Sequence, residues 1–218
     1  CQGLVVTRYG HGVSTRFIEV IEAAHPVPDL AGQQAALRMI ECARDATADD
    51  YIVCLLSGGG SALLSAPVDG IEFADLIDLN KQLLACGADI AEMNCVRKHL
   101  NLALGGGLAV AAGDTPMLTL AISDVVHDDP AVIASGPTVA DPSSLQDART
   151  VIERYGLDVS PSIAAALLHD DHETPKAGDP VFDSKEYHVI AAPAAGLQAA
   201  AAYWDLQGLR SYVLGGEM

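Results

Sequence analysis

The feature that most constrains the fold is an apolar run that ends in three consecutive glycines. Residues 51–56 are almost all apolar, which is typical of a strand buried on both faces inside a parallel sheet. Three glycines follow at 58–60, and Ser61 is placed to cap a helix that begins at Ala62. A strand, a glycine turn and a helix start together direct backbone N–H groups towards an anion. The pattern predicts either a tight turn with no ligand or a phosphate loop made of Ser57, Gly58, Gly59, Gly60 and Ser61.

The composition favours helices packed on a parallel sheet and disfavours two kinds of partner. Half of the 218 residues are hydrophobic but only 5% are aromatic, so we expect a core of Ala, Leu, Val and Ile. The net charge is −17 with only 12 basic residues, which leaves no basic face to neutralise nucleic-acid phosphates. The apolar stretches are too short, or too interrupted by charge, to span a bilayer. We therefore predict that the chain binds neither nucleic acid nor membrane.

The cysteines and the chain ends give two further expectations. The five cysteines are odd in number and none is spaced as Cys-x-x-Cys, which favours free thiols in the reducing cytoplasm. The first residue is Cys1, an apolar strand-like segment follows almost at once, and Met218 comes shortly after another such segment. We expect that the chain is a fragment of a longer protein.

Hydrophobic periodicity predicts strands and helices in alternation along the whole chain. The predicted strands cover residues 4–7, 17–23, 51–56, 117–122, 187–192 and 210–214. The predicted helices cover residues 30–46, 72–86, 88–100, 107–112, 143–155, 162–169 and 193–206, and Asp29 is placed to cap the first of them. This order indicates an α/β fold with a mainly parallel sheet and right-handed crossovers.

Three common catalytic or nucleotide-binding motifs do not occur. A Walker A loop needs Gly immediately before Lys, and none of the four lysines follows a glycine. A dinucleotide fingerprint that starts at Gly58 needs its third glycine at position 63, where this chain has Leu63. A hydrolase nucleophile elbow around Ser61 needs its last glycine at the same position. These departures disfavour dinucleotide chemistry and acyl transfer at the glycine run.

Carboxylates follow the apolar run at 117–122, where a parallel sheet places ligand-binding loops. Asp124 comes directly after this run, and Asp128 and Asp129 follow within the same loop. Mg²⁺ prefers one or two carboxylates together with phosphate oxygens, so Asp124 and Asp129 are candidate metal ligands. A turn in which Asp side chains satisfy backbone groups is an equally good interpretation.

The densest basic patch lies in a predicted helix. Asn94, Arg97 and Lys98 are spaced at i, i+3 and i+4 and therefore share a helix face, with His99 beside them. A second glycine run follows at 105–107. A cationic face near a glycine loop suits an anionic substrate, while a surface helix paired to nearby acidic residues explains the same pattern.

Three segments taken together resemble the class II glycerate kinases, whose members are often labelled hydroxypyruvate reductases. They are residues 57–64, 94–100 and 123–138, and the shorter segments 25–29 and 173–176 match as well. The resemblance covers essentially the whole chain. It implies a Rossmann-like three-layer α/β sandwich in residues 1–218, together with a separate C-terminal domain that closes over the cleft. It also implies transfer of the γ-phosphate of ATP to the 2-hydroxyl of D-glycerate, with Mg²⁺. We expect a cytoplasmic location from the cysteines, and a homodimer stays open as the oligomeric state.

The resemblance also suggests roles for the candidate residues. Residues 57–61 would hold the phosphates of ATP, and Asn94 and His99 would bind glycerate or a similar hydroxy acid. Asp124, Lys98 and Arg97 would be catalytic, and Asp124 and Asp129 would hold Mg²⁺. The roles of the two aspartates rest on their chemistry more than on the family.

Departures from the family pattern point to a chain that is not a competent kinase by itself. Asn101 and Leu104 replace the usual Ser and Lys, and His127 stands where Gly is common. A Gly-Ala-Gly-Lys segment with a catalytic lysine would precede Cys1, and the C-terminal domain would follow Met218. Two alternatives stay open, an NAD(P)H-dependent hydroxypyruvate reductase and a non-catalytic anion-binding relative.

Overall fold

A computed structural model describes residues 2–215 and contains strands and helices in alternation. The strands are β1 (Gly3–Arg8), β2 (Ile18–Ala23), β3 (Ile52–Leu56), β4 (Met117–Ile122) and β5 (Lys185–Ala191). The α-helices are α1 (Leu30–Asp45), α2 (Gly60–Leu63), α3 (Phe73–Ala85), α4 (Ile90–His99), α5 (Gly107–Ala112), α6 (Leu145–Tyr155), α7 (Pro161–Ala166) and α8 (Pro193–Leu206). The predicted α/β class is confirmed, and so is the predicted cap of α1, because the Asp29 carboxylate accepts a hydrogen bond from Gly32 N.

All strand pairs are parallel, but the strands form two separate sheets. One sheet contains β1 and β2, and the other has the order β3-β4-β5 with β4 in the centre. In the second sheet Cys54 lies opposite Thr119, which in turn lies opposite Tyr187. Helices supply the crossover connections of the second sheet, whereas residues 9–17 join β1 to β2 without a helix.

The prediction that residues 51–56 are buried on both faces is wrong. β3 lies at the edge of its sheet within residues 2–215, and only Ile52, Cys54 and Leu56 face the helices. Val53 is 55% exposed and Leu55 is 71% exposed on the opposite face. Burial on both faces requires a helical layer on each side, and the described helices cover only one side of β3.

Helix α1 joins the two sheets through one apolar stripe. Ala36 and Ile40 pack with Leu64 and contact Val6 of β1. One turn further on, Ala43 belongs to a cluster that contacts β3 and includes Met117 of β4. The small side chains of α1 bring its backbone close to both sheets, so this helix fixes their relative position.

Four further helices form a second core. Helices α3, α4, α6 and α7 share a core whose fully buried members include Leu79, Leu83, Leu100 and Ile163. Capping boxes at Asp89 and Ser144 define the starts of α4 and α6.

Two other sequence-based expectations concern the end of the chain and the membrane. The predicted strand at 210–214 is wrong, because residues 211–215 have no regular structure and no strand lies beside them among the described residues. None of the helices within residues 2–215 is long and apolar enough to cross a membrane.

The core of the four helices gives a stability prediction. Leu83→Ala removes a side chain that is 1% exposed, and we expect a loss of about 2–5 kcal/mol in the free energy of unfolding. The neighbouring Leu84 is 47% exposed, so Leu84→Ala should cost about 1 kcal/mol or less. Urea unfolding of both variants measures the difference, and equal losses would contradict the assigned core.

Candidate functional site

The glycine loop at residues 57–61 connects the carboxyl end of β3 to α2. Gly59 is the residue before the helix and has a left-handed φ of 84°, which glycine adopts without strain. Helix α2 begins at Gly60 and has only four residues. The prediction that Ser61 caps this helix is wrong, since its hydroxyl instead lies 2.7 Å from Ser135 Oγ. With so short a helix, the loop N–H groups matter more for anion binding than the helix dipole does.

A carboxylate lies directly against this loop. A Cβ atom placed on Gly58 would be 1.8 Å from Asp124 Oδ2, so no side chain fits at this position. The imidazole of His25 covers the next residue, with Nε2 at 3.1 Å from where a Cβ of Gly59 would lie. The structure thus brings Asp124, which follows β4, and His25, which follows β2, to the same glycines.

The loop offers free hydrogen-bond donors. Within residues 2–215, the backbone N–H groups of residues 58–61 donate no hydrogen bond to another part of the chain. The side chain of Ser57 is exposed beside them. Backbone N–H groups without internal partners in a glycine turn are the kind of donors that phosphate oxygens use. The candidate phosphate loop therefore has the donors that its predicted role requires.

The segment 123–138 forms the second wall of the site. Asp129 accepts a hydrogen bond from Ala131 N at 2.9 Å, so its carboxylate does cap a turn. Asp124 is exposed, and no hydrogen bond holds its carboxylate among the described residues. No group of three or more His, Cys, Asp or Glu side chains in the described chain is placed to hold a metal ion. Metal binding by Asp124 and Asp129 stays a prediction, and it would need oxygens from a ligand.

The same segment contains strained backbone. His127, Asp128, Ala134 and Ser135 have positive φ values between 51° and 62°. Each such residue costs on the order of 1 kcal/mol and persists only where neighbouring contacts hold it. Glycine would adopt the positive φ found at His127 without a Cβ penalty.

The second glycine run holds the strained segment from the other side. Gly105 N donates to Ser135 O at 2.9 Å, and Gly106 N donates to Gly136 O at 2.7 Å. Together with the Ser61 hydroxyl, these bonds fix both sides of Ser135, which is completely buried. The second glycine run therefore supports the wall of the site, and these N–H groups are not free for an anion.

The structure does not bring the basic patch of α4 to the glycine loop. Lys98 Nζ lies 3.1 Å from Asp141 Oδ1, with the two side chains 6% and 0% exposed. Ser143 and Thr174 donate further hydrogen bonds to the same carboxylate. Burial would raise the pKa of Asp141, but the charge of Lys98 and the hydrogen bonds from Ser143 lower it. Lys98 is thus engaged in a buried ion pair.

The other residues of the patch also have internal partners. Arg97 Nε donates to Asn80 Oδ1 at 2.7 Å, and Asn94 is buried beside it. His99 is completely buried, with Nδ1 2.8 Å from Cys95 O and Nε2 3.0 Å from Glu173 Oε1. Substrate contact by Arg97, Lys98, Asn94 and His99 stays a prediction, and it would require these contacts to change.

The departures from the family pattern fit the packing of this chain. Leu104 is 2% exposed and belongs to the apolar cluster beneath α1. Asn101 donates to Leu64 O and accepts from Ala103 N, both at 2.8 Å, so it ties the end of α2 to the following segment. Leu104 and Asn101 therefore have clear structural roles here.

Two residues of the site escaped the sequence reasoning. His25 stood only within the short matching segment 25–29, and Ser135 only within the long motif 123–138, and neither was given a role. The signal for Ser135 was its place next to Gly136 in residues 123–138, but no local pattern predicts a contact with Ser61, which is 74 residues away. The same holds for His25 against Gly59.

Comparison with known proteins identifies relatives over nearly the whole chain. A family model described as a domain of unknown function, DUF4147, matches residues 1–168. A D-glycerate 2-kinase of Thermotoga maritima is 41% identical over 191 residues, which are 87% of this chain and 44% of that protein. A protein of Agrobacterium vitis provisionally named hydroxypyruvate reductase is 49% identical over 213 residues, which are 98% of this chain and 48% of that protein.

A solved structure shares the fold as well as the sequence. The crystal structure of a glycerate kinase from Thermotoga maritima superposes with a TM-score of 0.87 at 36% identity, over 98% of this chain and 50% of that chain. The chain therefore spans about half the length of the relatives it matches.

The buried ion pair predicts a large effect of one lysine. Lys98→Met leaves the Asp141 carboxylate buried without its cation, and we expect a loss of about 3–5 kcal/mol in the free energy of unfolding. Lys81→Met removes an exposed pair with Asp78 and should cost under about 1 kcal/mol. Chemical denaturation measures both. A Lys98→Met protein of unchanged stability would show that Lys98 does not act as a structural cation.

Glu173 gives a pH-dependent prediction. Burial would raise its pKa, but hydrogen bonds from Lys176, Leu145 N and His99 outweigh this and lower the pKa to about 2. The ionised carboxylate therefore stabilises the fold above its unfolded pKa of about 4.3, and this contribution is lost as the pH falls towards 2. We expect the unfolding free energy of wild type to fall more steeply between pH 4.5 and 2 than that of Glu173→Gln.

Unfolding curves at several pH values check this expectation. Glu153→Gln, on the exposed face of α6, is the matched control. Its unfolding free energy should fall between pH 4.5 and 2 as steeply as that of wild type. Parallel curves for wild type and Glu173→Gln would contradict the assigned contacts of Glu173.

Proposed function

The chain belongs to the class II glycerate kinase family, matched as DUF4147, and from this premise we propose that it carries the ATP-binding half of a D-glycerate 2-kinase. The reaction would transfer the γ-phosphate of ATP to the 2-hydroxyl of D-glycerate. Since the chain spans about half of its relatives' length, we assign turnover to a longer polypeptide and phosphate binding to these residues.

The observation that carries this proposal is the free donor set of the glycine loop. The N–H groups of residues 58–61 donate no hydrogen bond to another part of residues 2–215, and the exposed Ser57 precedes them directly in the loop. Ser61 is held by Ser135, so the loop is fixed before any ligand binds. Phosphoryl transfer depends mainly on positioning and on neutralising charge, and a rigid set of N–H donors supplies both.

Asp124 would complete the site from the other wall. Its carboxylate lies against Gly58 and has no hydrogen-bond partner among the described residues, so it is available to a ligand. We propose that Asp124 holds Mg²⁺ or orients the reacting hydroxyl, with Asp129 nearby in the same loop. When bound, Mg²⁺ would neutralise the phosphate oxygens and the carboxylate together.

The basic residues of α4 receive a different role in this proposal. Lys98 would hold the framework behind the second glycine run, and His99 would hold α4 against Glu173. Arg97 would hold α4 against Asn80 of α3, with Asn94 accepting a further hydrogen bond from Arg97. The small-molecule substrate would then meet cationic groups from outside residues 2–215.

Three expectations from the sequence stay predictions. They are a Rossmann-like sandwich in the whole protein, a homodimer and a cytoplasmic location.

The name of the Agrobacterium vitis relative favours a second candidate, an NAD(P)H-dependent hydroxypyruvate reductase. The geometry of the loop disfavours it. Dinucleotide sites place the pyrophosphate at the start of a long helix after a G-x-G-x-x-G turn, whereas α2 has four residues and Leu63 occupies the third glycine position. Titration with NADPH, followed by nicotinamide fluorescence, separates the two candidates.

We expect Gly58→Ala to weaken binding of Mg²⁺–ATP by at least about tenfold. The new methyl group would displace the Asp124 carboxylate, and the site would lose at least one hydrogen bond to a charged group. Gly196→Ala on α8 adds a methyl group with no atom within 4 Å and should leave binding unchanged. Calorimetric titration of each protein with Mg²⁺–ATP measures the affinities.

A coupled assay with ATP and D-glycerate on the same samples tests turnover. Residues 1–218 should bind Mg²⁺–ATP without measurable phosphorylation of glycerate. Equal affinity of wild type and Gly58→Ala would remove the glycine loop from the nucleotide site, and NADPH binding in place of ATP binding would favour the reductase.

A further inference from the structure

The imidazole of His25 lies against the glycine loop and has no structural partner. Its Nε2 is 3.1 Å and its Cδ2 is 3.2 Å from where a Cβ atom of Gly59 would lie. His25 is exposed, and within residues 2–215 its ring makes no hydrogen bond or ion pair. A polar ring that is placed at the loop, and that no internal contact uses, is available to a ligand of the loop.

The segment that carries His25 is fixed at both ends. Ala23, the last residue of β2, is completely buried, and its carbonyl accepts a hydrogen bond from Tyr9 N. At the other end the Asp29 carboxylate accepts hydrogen bonds from the Tyr9 hydroxyl at 2.7 Å and from Gly32 N at 2.9 Å. The segment is therefore tied to the end of β1 and to the start of α1, which keeps His25 beside the loop.

The glycine loop is packed against the same frame. A Cβ atom on Gly32, in the first turn of α1, would be 3.2 Å from Leu63 O and 3.4 Å from the Cβ atom of Ala23. Leu63 is the last residue of α2, which begins directly after Gly59. The start of α1 thus contacts both the helix that follows the loop and the strand that precedes His25, and it fixes the ring and the loop relative to each other.

The lysines of the chain do not serve the loop in place of His25. Each of the four has a partner elsewhere: Lys81 with Asp78, Lys98 with Asp141, Lys176 with Glu173, and Lys185 with the carbonyl groups of Gly113 and Thr115. A Walker A loop places a lysine on the phosphates that it binds. Here the basic side chain that the structure places against the loop is His25.

We propose that His25 is a phosphate-binding residue of the glycine loop, and that its Nε2–H donates to an oxygen of the phosphate group held by the N–H groups of Gly59 and Gly60. The inference rests on the proposed function, because Mg²⁺–ATP supplies the phosphate group. The neutral Nε2–H tautomer and the imidazolium both have this donor, so the contact does not depend on the charge of the ring. The bond would be a strong one, because its acceptor is charged.

Metal binding is the other role open to an exposed imidazole, and the structure favours it less. Mg²⁺ prefers oxygen ligands, and Asp124 already presents a carboxylate to the same loop at Gly58. A metal that prefers imidazole needs further protein ligands. Within residues 2–215 no group of three His, Cys, Asp or Glu side chains is placed to supply them. Asp124 therefore suits the metal of the ligand, and His25 suits its phosphate.

Calorimetric titration with Mg²⁺–ATP tests the contact. We expect His25→Ala to weaken binding by at least about tenfold, because a hydrogen bond to a charged oxygen is lost. His25→Gln keeps a side-chain N–H donor of similar reach and should recover most of that loss. The control is His188→Ala, which removes another exposed histidine on β5, a strand separated from β3 by β4. It should bind like wild type.

Two further measurements separate a ligand contact from a structural role. NMR of the histidine ring nitrogens should show a shift of the His25 Nε2 signal when Mg²⁺–ATP is added, and no shift for His188. The His25 signals are identified by their absence in His25→Ala. Urea unfolding should give His25→Ala the stability of wild type, because the ring is exposed and has no partner within residues 2–215.

Two results would reject the role of His25 and leave the proposed function intact. One is equal affinity of His25→Ala and wild type where Gly58→Ala binds weakly. The other is weaker binding by His25→Ala while the His25 signals of wild type do not move with the ligand, since the loss would then be structural. A wild-type chain that binds no Mg²⁺–ATP would instead reject the proposed function, and the phosphate contact of His25 with it.

Discussion

The structure depends on keeping one buried carboxylate fully compensated. Asp141 is 1% exposed, and a buried charge is tolerated only with a cation and hydrogen bonds around it. Lys98 comes to it from α4, Ser143 from the start of α6 and Thr174 from the segment after α7. These elements are therefore fixed relative to one another, and Gly105 packs directly against Lys98 and Thr174. The support for the site begins at this pair.

From Gly105 the constraint reaches the site through backbone hydrogen bonds. The second glycine run holds Ser135 and Gly136, and Ser135 holds Ser61 in the glycine loop. Left-handed φ values at Ala134 and Ser135 cost free energy, and the bonds on both sides of Ser135 offset that cost. These bonds hold the segment and, through Ser61, the glycine loop in place. If the loop binds phosphate as proposed, its preformed donors would avoid the entropy loss of ordering a loop.

Local patterns predicted the elements well because they depend on nearby residues. β4 and α5 were predicted with their observed bounds, and the Asp29 cap of α1 is confirmed. The glycine loop and Asp124 were likewise placed in one site, since both follow parallel strands. The burial of the basic patch on α4 could not be predicted, because helical spacing shows which residues share a helix face but not what packs against that face. Lys98 is covered because its partner Asp141 lies 43 residues away in the sequence. The prediction of a strand at 210–214 was wrong because a strand also needs a neighbouring strand, which local sequence does not reveal.

The placement of Asp124 has a consequence for how ligands would bind. The chain carries a net charge of −17, and Asp124 adds a carboxylate next to the donors of the glycine loop. A phosphate alone would meet repulsion from Asp124, and a divalent cation alone would find few protein ligands among the described residues. If both bind as proposed, each relieves the main obstacle to the other, and by linkage the two affinities rise by the same factor. A glycine loop beside this carboxylate would therefore favour the complex of the nucleotide with its metal over either component. In an acidic chain whose α4 cations are already paired, this coupling would provide the neutralisation that a basic loop would otherwise supply.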